Sequence, residues 1–167
     1  MRIIVLGTGR CGTTTFAAAC KHITNYTNSH EEHWYNIPDN HIEVNPYLTW
    51  HIKNLDYYYD PLQTLYVHIY RDRDEVIRSW MKRGPGHGAG VFRKLAMPKH
   101  GLKASCEVCH DWMIDEIRTF MVAPGRRRHT VPLEFAKGSW GEFWDLAEAE
   151  GDYPASLKEW DKKYNAS

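Results

Sequence analysis

No run of apolar residues in this sequence approaches the roughly 20 that a membrane-spanning helix needs, so no membrane partner is expected. Charge of one sign is lacking too: 21 Lys and Arg stand against 21 Asp and Glu. Nucleic acid and membrane surfaces therefore find no overall field to attract them, although a local basic site for a small anion stays open. Cysteine is scarce, four in 167 residues, which excludes a disulfide scaffold and fits reduced thiols in a cytoplasmic protein. A basic n-region, an apolar h-region and a cleavage site are all missing, so no secretory leader is expected. Repeats and low-complexity linkers are absent, and residues 1–167 read as a single domain.

What is present is an alternation of strand and helix signals. Residues 2–6 read as a short apolar strand, and residues 12–22 as a small-residue helix opening at a glycine. A short strand is expected near Ile23–Tyr26 and another at Ile42–Val44, with Pro46 opening a helix that runs to Leu55. Leu65–Tyr70 is β-branched and aromatic, a second clear strand, followed by a helix through Met81 capped by Asp72 or Asp74. GPGHGAG at 84–90 reads as a loop suited to a flap. A helix is expected over 104–122, a solvated basic turn at Arg126–Arg128, an irregular or edge strand over Thr130–Phe135, and helices over 139–150 and 155–164. The fold class is α/β: a three-layer P-loop-type fold with a mostly parallel central sheet flanked by helices. Ligands in such sheets bind at the carboxyl ends of strands. Gly7 and Arg71 both lie at such ends.

CEVCH at 106–110 matches the spacing of a c-type haem attachment and half of a zinc site. The partner pair and the export signal are missing. The following DWMIDEIRTFM has helical periodicity, so Cys106 and Cys109 are expected as two thiols on an amphipathic helix.

The segment with most chemical content is GTGRCGTTT at 7–15. Gly7 and Gly12 have the spacing of an ATP-binding loop and Thr14 fits its hydroxyl position, but Thr13 stands where the lysine belongs. Glycines at a strand–loop–helix junction let backbone N–H groups face an anion, and the helix dipole adds to the attraction. Arg10 lies inside the loop, where a guanidinium can grip phosphate oxygens in bidentate fashion. The strand LYVHIY ends in Arg71 rather than a magnesium-binding aspartate, which speaks against an ATP–magnesium site.

GTGRCGTT resembles the 5′-phosphosulfate loop of sulfotransferases that use 3′-phosphoadenosine 5′-phosphosulfate (PAPS). LYVHIYRDRDEVIRSW at 65–80 is similar to the same family's 3′-phosphate motif, with serine eight residues after arginine. SHEEHWY at 29–35 looks like the segment that carries a glutamate base, and IEVNPYL at 42–48 and VPLEF at 131–135 echo later family segments. The resemblance implies a transferase that moves the sulfuryl group from PAPS to a hydroxyl or amine of a small-molecule or glycan acceptor and releases adenosine 3′,5′-bisphosphate (PAP), with no metal required. It implies that Gly9, Arg10, Cys11, Gly12, Thr13 and Thr14 cradle the 5′-phosphate, that Arg71 and Ser79 hold the 3′-phosphate, and that Arg10 stabilises the leaving oxygen. Glu32 is the first choice of base, with Glu31, His33, Glu43 and His51 as alternatives. Arg126–Arg128 and Lys137-Gly138 are further candidates for phosphate contact. Aromatic residues at 34–35, 47–50 and 57–59 suit either a core or a sugar pocket. A P-loop nucleotide or nucleoside kinase, and a non-catalytic nucleotide-binding module, are the competing readings.

Overall fold

The computed structural model describes residues 1–83 and 101–164. The glycine-rich segment 84–90 falls outside the described residues. Five strands form one parallel sheet: β1 (Arg2–Leu6), β2 (Thr27–His30), β3 (His41–Val44), β4 (Thr64–Tyr70) and β5 (Arg127–Pro132), in the spatial order β2-β3-β1-β4-β5. Ile3 sits in register with Ile42 on one side and Leu65 on the other. After β1 the chain builds one flank with β2 and β3, then crosses to the other for β4 and β5. The carboxyl end of β1 is thus a topological switch point.

Successive side chains of a strand face opposite sides, and here both sides are covered. Ile3 and Val5 pack with Phe16, Trp140 and Phe143, under α1 (Thr13–Cys20) and a later helix, Ala136–Leu146. Ile4 and Leu6 pack with Leu48, Leu55, Ile117 and Phe120. These come from a 3-10 segment (Pro46–Asn54), a short helix α2 (Leu55–Tyr58) and a long helix, Leu102–Val122. The expected three-layer α/β arrangement is therefore present, with one core on each face of the sheet. Between β4 and the long helix runs α3 (Arg73–Arg83); the long helix is α4, Ala136–Leu146 is α5, and Tyr153–Lys158 is α6. On the first face, Phe16 meets Trp140 edge-on at 5.0 Å. Trp140 Nε1 donates to Ser156 Oγ at 3.0 Å, and Ser156 Oγ donates to Ala19 O at 2.8 Å. That chain satisfies the buried indole and ties α1, α5 and α6 together.

Several boundaries differ from the sequence expectation, each for a local reason. No strand forms at 23–26; β2 begins at Thr27. Thr24, Asn25 and Tyr26 instead donate side-chain hydrogen bonds to the carbonyls of Glu150, Glu148 and Ala147. Residues 46–54 are 3-10 rather than α-helical: Asn45 caps the amide of Tyr47, and His51, at φ −119°, breaks the turn. The last strand starts at Arg127 and stops at Pro132, while Leu133–Phe135 turns as 3-10 helix. Its edge position agrees with its proline.

Arg126–Arg128 is not a solvated turn. Arg126 stacks over the Phe120 ring, pairs with Asp56 and donates to Phe120 O at 2.6 Å. Arg128 donates to Met121 O at 2.6 Å, and Arg127 to Leu146 O at 3.1 Å. Cations are favoured at helix carboxyl ends, so this basic run is spent on closing α4 and α5.

Candidate functional site

The turn after β1 is built by steric exclusion. A side chain at Gly7 would put its Cβ 2.5 Å from Cys11 Sγ and 2.9 Å from Ile69 O. Thr49 Oγ1 donates to Gly7 O at 3.1 Å and holds the turn from the side. Gly12 caps α1 at φ 100°, with no space for a Cβ against Leu133. Gly9 and Arg10 are also left-handed, at φ 74° and φ 60°. The backbone so curled leads into the first turn of α1, whose leading N–H groups have no carbonyl within their own helix to bind.

This turn floors a cavity of about 720 Å³. Gly9, Arg10, Gly12, Thr13 and Thr14 line it, as do Arg71 and Ser79 from the end of β4 and the middle of α3. The two sequence motifs, 69 residues apart, meet directly: Arg10 Nε donates to Ser79 Oγ at 2.9 Å. Asp72 caps α3 by accepting from Glu75 N at 3.1 Å, and its own amide donates to Glu134 Oε1 at 3.0 Å. Arg71 is held by Glu75 at 3.1 Å.

The cavity is strongly basic. Arg10, Arg71, Arg78, Lys82, Arg83, Lys162 and Lys163 line it, against the carboxylates Glu31 and Glu75. Partial burial lowers the pKa of Arg10 from its ordinary value, and the nearby charges of Arg83 and Arg71 lower it further. A concave surface lined by mutually repelling cations has the chemistry to receive an anion carrying more than one charge. Sequence reasoning missed Arg78, Lys82 and Arg83. Their signal is helical spacing, since with Glu75 and Ser79 they recur at three- and four-residue intervals on one face of α3. Lys162, Lys163 and Tyr164 arrive from the far end of the chain, through packing that local spacing does not encode. Glu159 fixes that arrival: Lys162, Tyr164 and His22 all bond to its carboxylate and hold its pKa well below the usual range.

The other sequence candidates separate in space. Cys11 does not line the cavity; its side chain is fully buried beneath Gly7, and burial raises its thiol pKa. Only its backbone belongs to the loop. Glu32 is exposed and does not line the cavity, and its amide donates to Glu43 Oε1 at 3.2 Å. Its neighbours His30 and Glu31 do line it, with Glu31 in a left-handed turn at φ 62°. Glu43 is fully buried, bonded by Ser29 Oγ. His33 packs edge-on against His41, and His51 against Trp34 and Tyr35. Lys137 lies in a separate depression and pairs with Asp161.

Cys106 and Cys109 lie on α4, buried and unpaired. Burial, and then the neighbouring Cys106, push the Cys109 thiol up to about 12, which disfavours the nucleophilic thiolate.

Aromatic rings continue from the cavity. Tyr47 and Trp50 are on its wall; Tyr47 stacks on Trp34 at 5.7 Å, and Tyr35 meets Tyr58 at 5.1 Å. All five rings are substantially exposed, so they are a surface rather than a core. Among the described residues no helix is long and apolar enough to cross a membrane. The chain matches no family model, no curated protein and no solved structure.

Proposed function

We propose that the chain is a PAPS-dependent sulfotransferase. The observation that supports this reading above the others is the Arg10–Ser79 contact at 2.9 Å, which joins the 5′-phosphosulfate-type loop to the 3′-phosphate-type helix inside one basic cavity. A donor with phosphates at both ends of its ribose needs two cationic anchors close together, and the loop and Arg71 supply them. Thr13, Thr14 and the loop backbone hold the 5′-phosphate; Arg71 and Ser79 hold the 3′-phosphate. As the acceptor oxygen bonds to sulfur, the bond from sulfur to the 5′-phosphate oxygen breaks. Arg10 neutralises charge on that departing oxygen. The acceptor proton passes to a base, and Glu31, which lines the cavity, takes this role in place of Glu32. The exposed row of Tyr47, Trp34, Tyr35 and Tyr58 favours a glycan or aromatic acceptor, because flat rings stack on both.

A nucleotide kinase is the competing reading. Thermal unfolding separates the two, since a ligand that binds only the folded state raises Tm. PAP without metal raises Tm if the proposal holds; a shift with ATP–magnesium and none with PAP overturns it. With PAPS and an acceptor panel, Glu31→Gln abolishes turnover while Glu32→Gln leaves it within about threefold; the reverse pattern restores Glu32 as base.

A further inference from the structure

Outside the cavity, at the β2–β3 edge of the sheet, three ligating side chains converge. His33, His41 and Glu43 each offer a ligand atom, and these atoms lie within 4.8 Å of one another. His41 and Glu43 are buried and His33 is half-buried. Two features distinguish this group from a chance surface cluster.

The first is an interior carboxyl group. Glu43 is fully buried, and the basic side chain recorded beside it among the described residues is His41, whose Nε2 lies 3.6 Å from its Oε2. Its hydrogen bonds come from Ser29 Oγ and from Glu32 N. An interior carboxylate is costly unless a cation compensates it.

The second is the hydrogen-bond accounting around His41. Its Nδ1 lies 2.7 Å from Thr27 Oγ1 and its Nε2 lies 2.8 Å from Ser29 Oγ, which gives its proton to Glu43. The ring is held between two hydroxyls, with Nε2 on the Glu43 side. In the tautomer protonated at Nδ1, that proton falls to Thr27 Oγ1 and the Nε2 lone pair faces the carboxyl group of Glu43. Ligating histidines are oriented in that way, with the distal N–H on an oxygen and the other nitrogen aimed at the metal.

We propose that His33, His41 and Glu43 form a zinc site that staples β3 to the segment following β2. Two imidazoles and a carboxylate suit Zn²⁺, with a fourth position open to water. Ligand atoms around tetrahedral zinc stand roughly 3.4 Å apart; His41 Nε2 and Glu43 Oε2, at 3.6 Å, are already near that spacing, and the His33 ligand atom lies within 4.8 Å of both. His33 is the half-buried member, and Asn45 Nδ2 donates to its carbonyl at 3.0 Å. The segment so fixed carries Glu31 to the cavity wall. The proposed site stands apart from the transfer chemistry and does not depend on it.

The test uses the purified full chain, stripped with EDTA and titrated with zinc sulfate in a calorimeter, followed by cobalt(II) absorption. Expected are one Zn²⁺ per chain, a raised Tm and the ligand-field bands of tetrahedral cobalt. His33→Ala, which removes the least buried ligand, weakens binding at least tenfold with an unchanged circular dichroism spectrum. Thr27→Val weakens it roughly 10–100-fold by releasing the orientation of His41. Cys109→Ser leaves binding unchanged. No stoichiometric zinc uptake by the native chain overturns the proposal and leaves Thr27, His41, Ser29 and Glu43 as a hydrogen-bonded network alone. Uptake undiminished in His33→Ala, or lost in Cys109→Ser, also overturns it.

Discussion

Arg10 Nε donates to Ser79 Oγ at 2.9 Å, so a residue of the first loop rests on a residue of the third helix. The contact fixes the separation of the two elements proposed to hold the donor's phosphates, and pre-organisation of this kind strengthens binding. Hydrogen bonds to charged groups contribute about 1.5–3 kcal/mol. Ser79→Ala is accordingly expected to weaken PAP binding by roughly tenfold or more, and Arg71→Ala by more, with a shallower dependence on salt. Calorimetric titration with PAP at two ionic strengths measures both. Unchanged affinity in either variant would refute the assignment of the 3′-phosphate.

Backbone conformation separates two glycines of the loop. Gly12 has φ 100° and a Cβ there would meet Leu133 at 2.5 Å, whereas Gly9, at φ 74°, has nothing within 4 Å. Gly12→Ala adds steric overlap to conformational strain and should cost about 1–3 kcal/mol or more. Gly9→Ala carries the strain alone, about 1–2 kcal/mol. Denaturant unfolding of the two variants is expected to rank them in that order. Equal losses would mean that Leu133 moves aside without cost.

Acid sensitivity follows from the histidines of the core. His68 on β4 is buried, and burial, then Arg118 and His110 across on α4, bring its pKa down to about 4. The folded state therefore resists a proton that the unfolded chain accepts below about pH 6.5. The stability held above that value falls as pH drops toward about 4 and is flat below, a loss of at most roughly 3 kcal/mol for this residue. His41, His110 and His129 are shifted in the same direction. His68→Leu should flatten the slope of stability against pH between about 6.5 and about 4 without removing it. Urea unfolding across that range is the measurement, and an unaltered slope would show that His68 titrates normally.

The strands and the loop were legible because their causes are local. Ile3–Leu6 and Leu65–Tyr70 carry their own apolar and β-branched character, and Gly7 meets its steric limit at Cys11 and the neighbouring strand; the limit on Gly12, at Leu133, comes from the far side of the sequence. Arg71 and Ser79 were singled out by a resemblance whose two halves lie far apart in sequence, and both halves line the one cavity. The assignment of Glu32 rested on segment likeness alone and could not foresee which of two adjacent glutamates the β2–β3 edge would turn toward the cavity. A left-handed residue at Glu31 decides that, and nothing in its composition announces it. Arg126–Arg128 was misread for a similar reason: charge runs are usually solvated, but here three carbonyls at helix ends receive them. The lysines at 162 and 163 reach the cavity only after α6 and its following 3-10 turn have packed beside α1.

The amide of Asp72 is bound by Glu134, a residue of the 3-10 turn after β5. Asp72 starts the helix whose one face carries Arg78, Ser79, Lys82 and Arg83. Glu134 does not line the cavity, yet its bond anchors the first turn of that helix from the adjacent edge of the sheet. Loss of the anchor is expected to reach all four side chains together, by a lever rather than by a contact.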